Sequence, residues 1–351
     1  MKGVAVKALV LADFYDLQVL EVDRPTLEPH DALVRILYTG ICGSDIHGYT
    51  GENGRRRVGQ IMGHETVGIL EELGADVAPR GISLGSLVTI NPLVVSAEDL
   101  LRYPGREQHA PSMWVLGVRA DRPAAFAQYT VIPAANLVPV GELDDPRVGA
   151  LIEPLAVAIH AVARALEKCC ADSALIIGGG PIGQMLNIAL ARVGVNSRTQ
   201  VEPHEARRSV CCSLGACAID PAALERDILA GRRWPVVFDA VGASQTLESA
   251  LAAADVGGTV CLVGMHSPTL TVDAYAISTQ ERTVVGSFVY SRMDFDAAAA
   301  YSVEQGARLV PLIDSVVSLE EAPAEFARLA ADGTAAAARV LVDMTPPLDS
   351  L

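Results

Sequence analysis

Three short segments carry residue types that could do chemistry: Cys42-Gly-Ser-Asp-Ile-His47, Gly63-His64-Glu65 and Leu151-Ile-Glu153-Pro154. Cys, His and Glu are all zinc ligands, and three protein ligands with a fourth position open is the catalytic arrangement. The segments are far apart in the chain, so spacing alone does not prove a metal site. An isolated cysteine is also read as structural, and an isolated histidine or glutamate as solvated or hydrogen-bonded.

A second motif concerns nucleotides. Ala174-Leu-Ile-Ile-Gly-Gly-Gly-Pro-Ile-Gly183 follows an apolar strand and opens a helix. Gly178, Gly180 and Gly183 fit G-x-G-x-x-G, with Pro181 and Ile182 completing the loop. The first glycine permits the tight turn, the second lets the backbone approach a pyrophosphate, and the third allows close helix–strand packing. The helix N-terminus offers free N–H groups and a partial positive charge. Glu202, 19 residues after Gly183, is placed to accept hydrogen bonds from an adenosine ribose and to repel a 2′-phosphate, which favours NAD over NADP. Arg207 and Arg208 lie nearby and could instead serve that phosphate. The strand before Glu202, Asn196-Ser-Arg-Thr-Gln-Val201, is unusually polar for a buried parallel strand, and the sequence offers no account of Gln200.

Elements of two textures must position these residues. Up to about residue 150, short strand patterns such as Val4–Leu11, Asp31–Tyr38 and Gly85–Ile90 are punctuated by Gly and Pro, as in a partly β domain. Beyond it, apolar strands at Ala174–Ile177, Val236–Ala240 and Thr259–Val263 alternate with helical stretches at Ile182–Val193, Glu205–Leu214 and Thr246–Ala253. That alternation predicts a doubly wound parallel sheet in an α/β fold. After about residue 290 come helices at Asp294–Gln305 and Leu319–Asp332 and a strand at Ala338–Asp343.

The 351 residues suffice for two domains, and 50% hydrophobic content suffices for a large core. A formal charge of −15 argues against nucleic acid or an anionic membrane surface as partner. The start shows no targeting pattern, and residues 149–166, the nearest approach to a membrane span, are interrupted by Glu153, His160 and Arg164. Seven cysteines without framework spacing suit a reducing cytoplasm. Six of them, all but Cys42, read as small buried or half-buried hydrophobes.

In order, these motifs resemble the zinc-containing medium-chain dehydrogenases. Gly63-His-Glu-Thr-Val-Gly68, five residues, then Gly74 is similar to that family's zinc signature, and the likeness runs on to Arg339-Val-Leu-Val342. Glu153-Pro154, where alcohol dehydrogenases carry a cysteine, resembles the sorbitol, threonine and sugar-acid dehydrogenase branch. The resemblance implies a GroES-like, partly β catalytic domain at 1–150, a Rossmann NAD-binding domain at 151–289, and a return to the catalytic domain at 290–351. It implies Cys42 and His64 as zinc ligands, with Glu65 and Glu153 as carboxylates that bind directly, alternately or through water. Which is the third ligand stays open. Ser44 resembles the hydroxyl that hands the substrate proton onward, and His47 the residue that passes it to solvent. A helix-capping serine and a surface histidine are the alternatives. The implied reaction interconverts a secondary alcohol (polyol, sugar acid or amino alcohol) and a ketone with NAD. A homodimer or homotetramer is expected, with a sheet edge near Val284–Tyr290 as its seam. Rival readings are a zinc-free quinone or alkene reductase and a non-catalytic NAD-binding protein.

Two departures stand out. The positions of the relatives' four structural-zinc cysteines fall on Ser96, Asp99, Arg102 and Ala110, so one catalytic zinc and no structural zinc is expected. The lobe must then hold by packing and charge. Asp99–Arg102 is a candidate ion pair, and Leu100, Leu101, Tyr103 and Pro104 are candidates to pack inward. Arg55, Arg56 and Arg57 read as a solvated basic turn, with recognition of an anionic or hydroxyl-rich substrate as the alternative.

Overall fold

A computed structural model describes residues 5–52, 54–77, 82–333 and 336–345. Val4, part of the first strand pattern, lies outside them. The chain divides into two compact units, Met1–Glu153 with Phe295–Leu351, and Pro154–Asp294.

In the first unit β1 (Ala5–Asp13) and β2 (Asp16–Asp23) form an antiparallel hairpin. Then follow β3 (Asp31–Gly40), helix α1 (Gly43–Thr50), β4 (Glu65–Leu73), β5 (Leu87–Ile90), β6 (Leu93–Val94), α2 (Ala97–Arg102), β7 (Trp114–Val115), β8 (Tyr129–Pro133) and β9 (Leu137–Pro139). A 3-10 turn at Pro146–Leu151 runs into α3 (Ile152–Leu166). By length and composition this stretch could cross a membrane, but 83% of its apolar window is buried, which marks it as a core helix.

The second unit alternates β10 (Ser173–Ile177), α4 (Pro181–Arg192), β11 (Ser197–Val201), α5 (Glu205–Ser213), β12 (Cys217–Ile219), α6 (Pro221–Leu229), β13 (Trp234–Asp239), α7 (Ser244–Ala253), β14 (Ala254–Leu262), α8 (Ala274–Ser278) and β15 (Thr283–Gly286). Its sheet is parallel, in the order β12-β11-β10-β13-β14-β15. The strand order reverses between β10 and β13, the place where doubly wound folds bind nucleotides. Leu175, Val237 and Val260 from adjacent strands pack with Trp234 and Leu251 in its core.

Helix α9 (Arg292–Gln305) leads back to the first unit, which ends in β16 (Ile313–Ser318), α10 (Ala322–Ala331) and β17 (Arg339–Asp343). Its main sheet runs β16-β17-β3-β4-β5-β9, with β8 also paired to β3. The last strand thus lies against β3, with Leu341 opposite Gly40, just before Cys42.

The lobe at 96–112 is held differently from the sequence expectation. Arg102 pairs with Glu98 at 2.8 Å, one helical turn away, rather than with Asp99. Asp99 is buried and accepts the Ser112 N–H at 3.0 Å, while Ser96 caps α2 by accepting from the Asp99 N–H at 3.2 Å. Leu101 is 85% exposed and Pro104 is exposed, Leu100 and Tyr103 are half-buried, and Glu107, Gln108 and Ala110 are buried instead. A six-residue helix has one inward face, and the polar clasp at Ser96, Asp99 and Ser112 decides which face it is. The cysteine expectation also needs correcting. Cys211 and Cys261 are buried and Cys169 is half-buried, but Cys170, Cys212 and Cys217 are exposed, on a helix exit, an outer helix face and the outermost strand of the sheet.

Candidate active site

The candidate ligand residues meet through strand register. Cys42 is the extended residue that opens α1, and its N–H donates to the carboxylate of Asp45 at 3.2 Å. Aromatic packing anchors the helix: the Tyr49 ring sits edge-on to Tyr15 at 5.6 Å and to Phe326 of α10 at 5.9 Å, and Phe326 meets Phe126 at 5.5 Å. Each such contact contributes about 0.5–1.5 kcal/mol beyond its burial. On the neighbouring strand, Glu65 stands opposite Gly40. The result is that ligand atoms of Cys42, His64 and Glu65 lie within 4.8 Å of one another. Of the two candidate carboxylates, Glu65 is the one in this trio. Glu153, buried at the second residue of α3, contributes its charge to His64 instead.

A buried shell of charge surrounds the trio. Arg339, from the start of β17, places Nη2 3.0 Å from Glu65 Oε1 and donates from Nη1 to the Ile41 carbonyl at 2.8 Å. Asp45 Oδ1 lies 3.6 Å from His64 Nδ1 and 3.7 Å from Arg56 Nη2. Burial pushes the Glu65 carboxyl above its ordinary range, while Arg339 and His64 pull it down. Burial alone would depress His64, but Asp45, then Cys42 and Glu153, push it up to about 10. Three carboxylates, Asp45, Glu65 and Glu153, are thus buried around the ligand atoms. Both Glu65 oxygens also lack a hydrogen bond in good geometry. A half-buried Cys with a buried His and Glu, their ligand atoms within 4.8 Å of one another, fits a divalent zinc.

Ser44 is half-buried at the second position of α1, so the cap role belongs to Cys42 and not to the serine. His47 lies three residues on, on the same helix face, and its Nδ1 is 3.1 Å from Glu52 Oε2 at the exposed end of the helix. Arg55 and Arg57 are exposed, but Arg56 is only 4% exposed, which corrects the reading of all three as a solvated turn. Its stem is drawn under α1 by Asp45.

The dinucleotide loop is equally built. Gly178 holds φ 104, in the left-handed region. Glu202 is buried, and its carboxylate accepts from the N–H of Gly179 at 2.8 Å and of His204 at 2.9 Å. The loop and the acid at the end of β11 are therefore one unit. Gln200 is fully buried, and its Nε2 donates to the Gly178 carbonyl at 3.1 Å while its Oε1 accepts no hydrogen bond. Its polar neighbours find partners on other segments. Arg198 donates to Asn187 and, at 2.8 Å, to the Val195 carbonyl, and Thr199 accepts from Arg232 at 3.3 Å. Arg208 donates to the Glu202 carbonyl at 2.9 Å, which commits it to the backbone, whereas Arg207 faces Gly180. Pro181 and Ile182 open α4.

Gly183 tolerates no side chain. A Cβ there would lie 1.9 Å from the Gly178 carbonyl oxygen and 2.9 Å from Gln200 Nε2. Gly183→Ala is expected to cost about 1–3 kcal/mol through overpacking and to weaken dinucleotide binding at least about tenfold, since one tenfold step needs only about 1.4 kcal/mol. Titration of NADH fluorescence checks this, and wild-type affinity in the variant would show that the loop can open freely.

Sequence reasoning did not single out Asp45, Arg339 or Glu52, and it read Arg56 only within the Arg55–Arg57 turn. A signal existed for Arg339, a cation opening the apolar strand Arg339-Val-Leu-Val-Asp343, and for Asp45, three residues into a helix from a candidate ligand. None existed for Arg56 or Glu52.

Comparison with known proteins identifies the family. Residues 28–142 match the alcohol dehydrogenase GroES-like domain, and residues 181–304 the zinc-binding dehydrogenase family. The chain is 31% identical to 2-dehydro-3-deoxy-L-galactonate 5-dehydrogenase of Pseudoalteromonas atlantica, over 92% of this chain and 94% of that one. It is 32% identical to sorbitol dehydrogenase of Arabidopsis thaliana, over 76% of each. Among solved structures, a zinc-binding dehydrogenase from Sinorhizobium meliloti bound to NADP superposes with a TM-score of 0.84 at 28% identity, covering 97% of this chain and 99% of that one. With its ligand trio, its dinucleotide loop and these relatives, the chain belongs to the zinc-containing medium-chain dehydrogenase/reductase family and is an oxidoreductase of the branch that holds the sorbitol, threonine and sugar-acid dehydrogenases.

Proposed function

We propose that this protein is an NAD-linked dehydrogenase of secondary alcohols, with a single zinc held by Cys42, His64 and Glu65, acting on a polyol, sugar acid or amino alcohol. The observation that carries the reading is the Cys42–His64–Glu65 trio, whose ligand atoms lie within 4.8 Å of one another beside the buried carboxylates of Asp45 and Glu153. Zinc, when bound, supplies a Lewis acid that polarises the substrate oxygen and eases its deprotonation. Glu65 is held in place by Arg339, and His64 by Asp45. Ser44 accepts the hydroxyl proton and donates its own, because a hydroxyl does both. His47, on the same face of α1, passes the proton toward Glu52 and solvent. In the second unit the glycine loop and Glu202 hold the dinucleotide that takes the hydride. The named relatives act on polyol and sugar-acid carbons, which supports that substrate class here.

The test is NAD reduction with a panel of polyols, sugar acids and amino alcohols, before and after chelation. Turnover lost with the metal and restored by stoichiometric zinc is expected. Reduction of quinones or activated alkenes by the metal-free protein would instead favour the zinc-free reductase. The outer edge of β15 has no strand partner among the described residues, and a symmetric homo-oligomer joined along it is the assembly this reading adopts.

Cofactor choice rests on Glu202. Its buried carboxylate beside Gly179 opposes a 2′-phosphate, and Arg208 is occupied with backbone carbonyls. We expect kcat/KM for NAD to exceed that for NADP by at least about tenfold, equivalent to about 1.4 kcal/mol. A specific observation supports the opposite choice, the Arg207 guanidinium beside Gly180. A preference for NADP in the same assay would hand the role to Arg207.

A further inference from the structure

We infer that Arg56 is a positioning residue of the metal centre, acting on His64 through Asp45. The inference rests on the zinc reading above. Arg56, Asp45 and His64 form a line of buried groups, with side chains 1%, 0% and 8% exposed and gaps of 3.7 Å and 3.6 Å. The helix is shaped around the arginine: a Cβ on Gly48 would lie 2.5 Å from Arg56 Cγ and 2.9 Å from Met62 Sδ. Burying a guanidinium is costly unless a counter-charge compensates it. Nε and Nη2 of Arg56 have no hydrogen bond, so the compensation is the charge of Asp45.

The distribution of charge says why this cation matters once a metal is bound. Cys42 as thiolate, Asp45, Glu65 and Glu153 each bring a negative charge to the pocket. Arg339 and Arg56 each bring a positive one, and a divalent zinc offsets the remainder. Arg339 is committed to Glu65. A ligating histidine is a neutral imidazole, so His64 then no longer serves Asp45 as a cation, and Arg56 does. With Asp45 so fixed, its charge faces His64 Nδ1 at 3.6 Å and favours one orientation of the ring. Such outer partners typically change metal affinity by about 10–100-fold when removed.

The experiment measures zinc release to a chromogenic chelator and the absorption spectrum of the cobalt-substituted protein. It compares the full-length wild type with Arg56→Met, Arg56→Lys, Asp45→Asn and the Arg56→Met/Asp45→Asn double variant. Arg56→Met is expected to release zinc about 10–100-fold faster and to shift the cobalt bands. Arg56→Lys should stay within about threefold of wild type, and in the Asp45→Asn background Arg56→Met should add less than about twofold, because residues acting in series are not additive. Wild-type zinc retention in Arg56→Met, or effects that multiply in the double variant, overturns the inference. A side chain that merely fills the core would lower the melting temperature of the metal-free protein and leave the cobalt spectrum unmoved, which overturns it too. If the methionine variant does not fold, Arg56→Lys decides: a loss as large as that of Asp45→Asn would show that the charge is not what steadies the aspartate. A wild type that binds no zinc would sink the zinc reading itself, a result distinct from all of these.

Discussion

Cys42→Ala is expected to lose its zinc and roughly four orders of magnitude in kcat, while binding NADH as the wild type does. Lewis-acid assistance is worth several kcal/mol in the transition state, and each 1.36 kcal/mol is about a factor of ten. The substitution removes one of the three ligand atoms clustered among the described residues. It leaves the local fold intact, because the bond to Asp45 comes from the Cys42 backbone N–H and the helix is anchored by Tyr49 and Phe326. The dinucleotide loop lies in the other unit, so NADH affinity is the internal control. Elemental analysis, fluorescence titration and turnover on the same preparation provide the check. Continued turnover by a metal-free Cys42→Ala protein would end the zinc mechanism.

Arg339→Met carries the largest expected loss of stability, about 3–5 kcal/mol, the usual consequence of stranding one partner of a buried ion pair. Glu65 is fully buried and Arg339 nearly so, at 3.0 Å. The substitution also releases the Ile41 carbonyl, which the guanidinium holds just before Cys42. Arg339→Met/Glu65→Gln should regain most of the stability, because no charge is then left unpaired, but should not regain zinc affinity. Urea midpoints for the two variants measure this. A single variant as stable as the wild type, or a double variant no more stable than the single, would show that the pair does not hold this corner of the sheet.

Much of the fold was legible because it is local. The alternation of apolar strands with helices around Ala174–Ile177 and Ile182–Val193 predicts the parallel sheet, and the observed β10 and α4 differ from it by single residues. The glycine loop was legible because its three requirements (a tight turn, an open backbone and close packing) are met within six consecutive residues. The polar strand before Glu202 was not. Arg198, Thr199 and Gln200 find their partners in Asn187, Arg232 and Gly178, on other segments.

The sequence by itself determined the candidate ligand types, the glycine loop and the family, because each is written in residue identity and short spacing. Only the tertiary structure decided which carboxylate joins Cys42 and His64. The choice follows from the register that sets Glu65 opposite Gly40, and a register is fixed by the packing of whole strands. It alone also showed that the middle of three arginines is buried and that Arg339, near the other end of the chain, pairs with Glu65. Both are results of charge compensation in a desolvated pocket. Which charges compensate one another depends on distances of three to four ångströms between side chains, and no spacing along the chain encodes those distances.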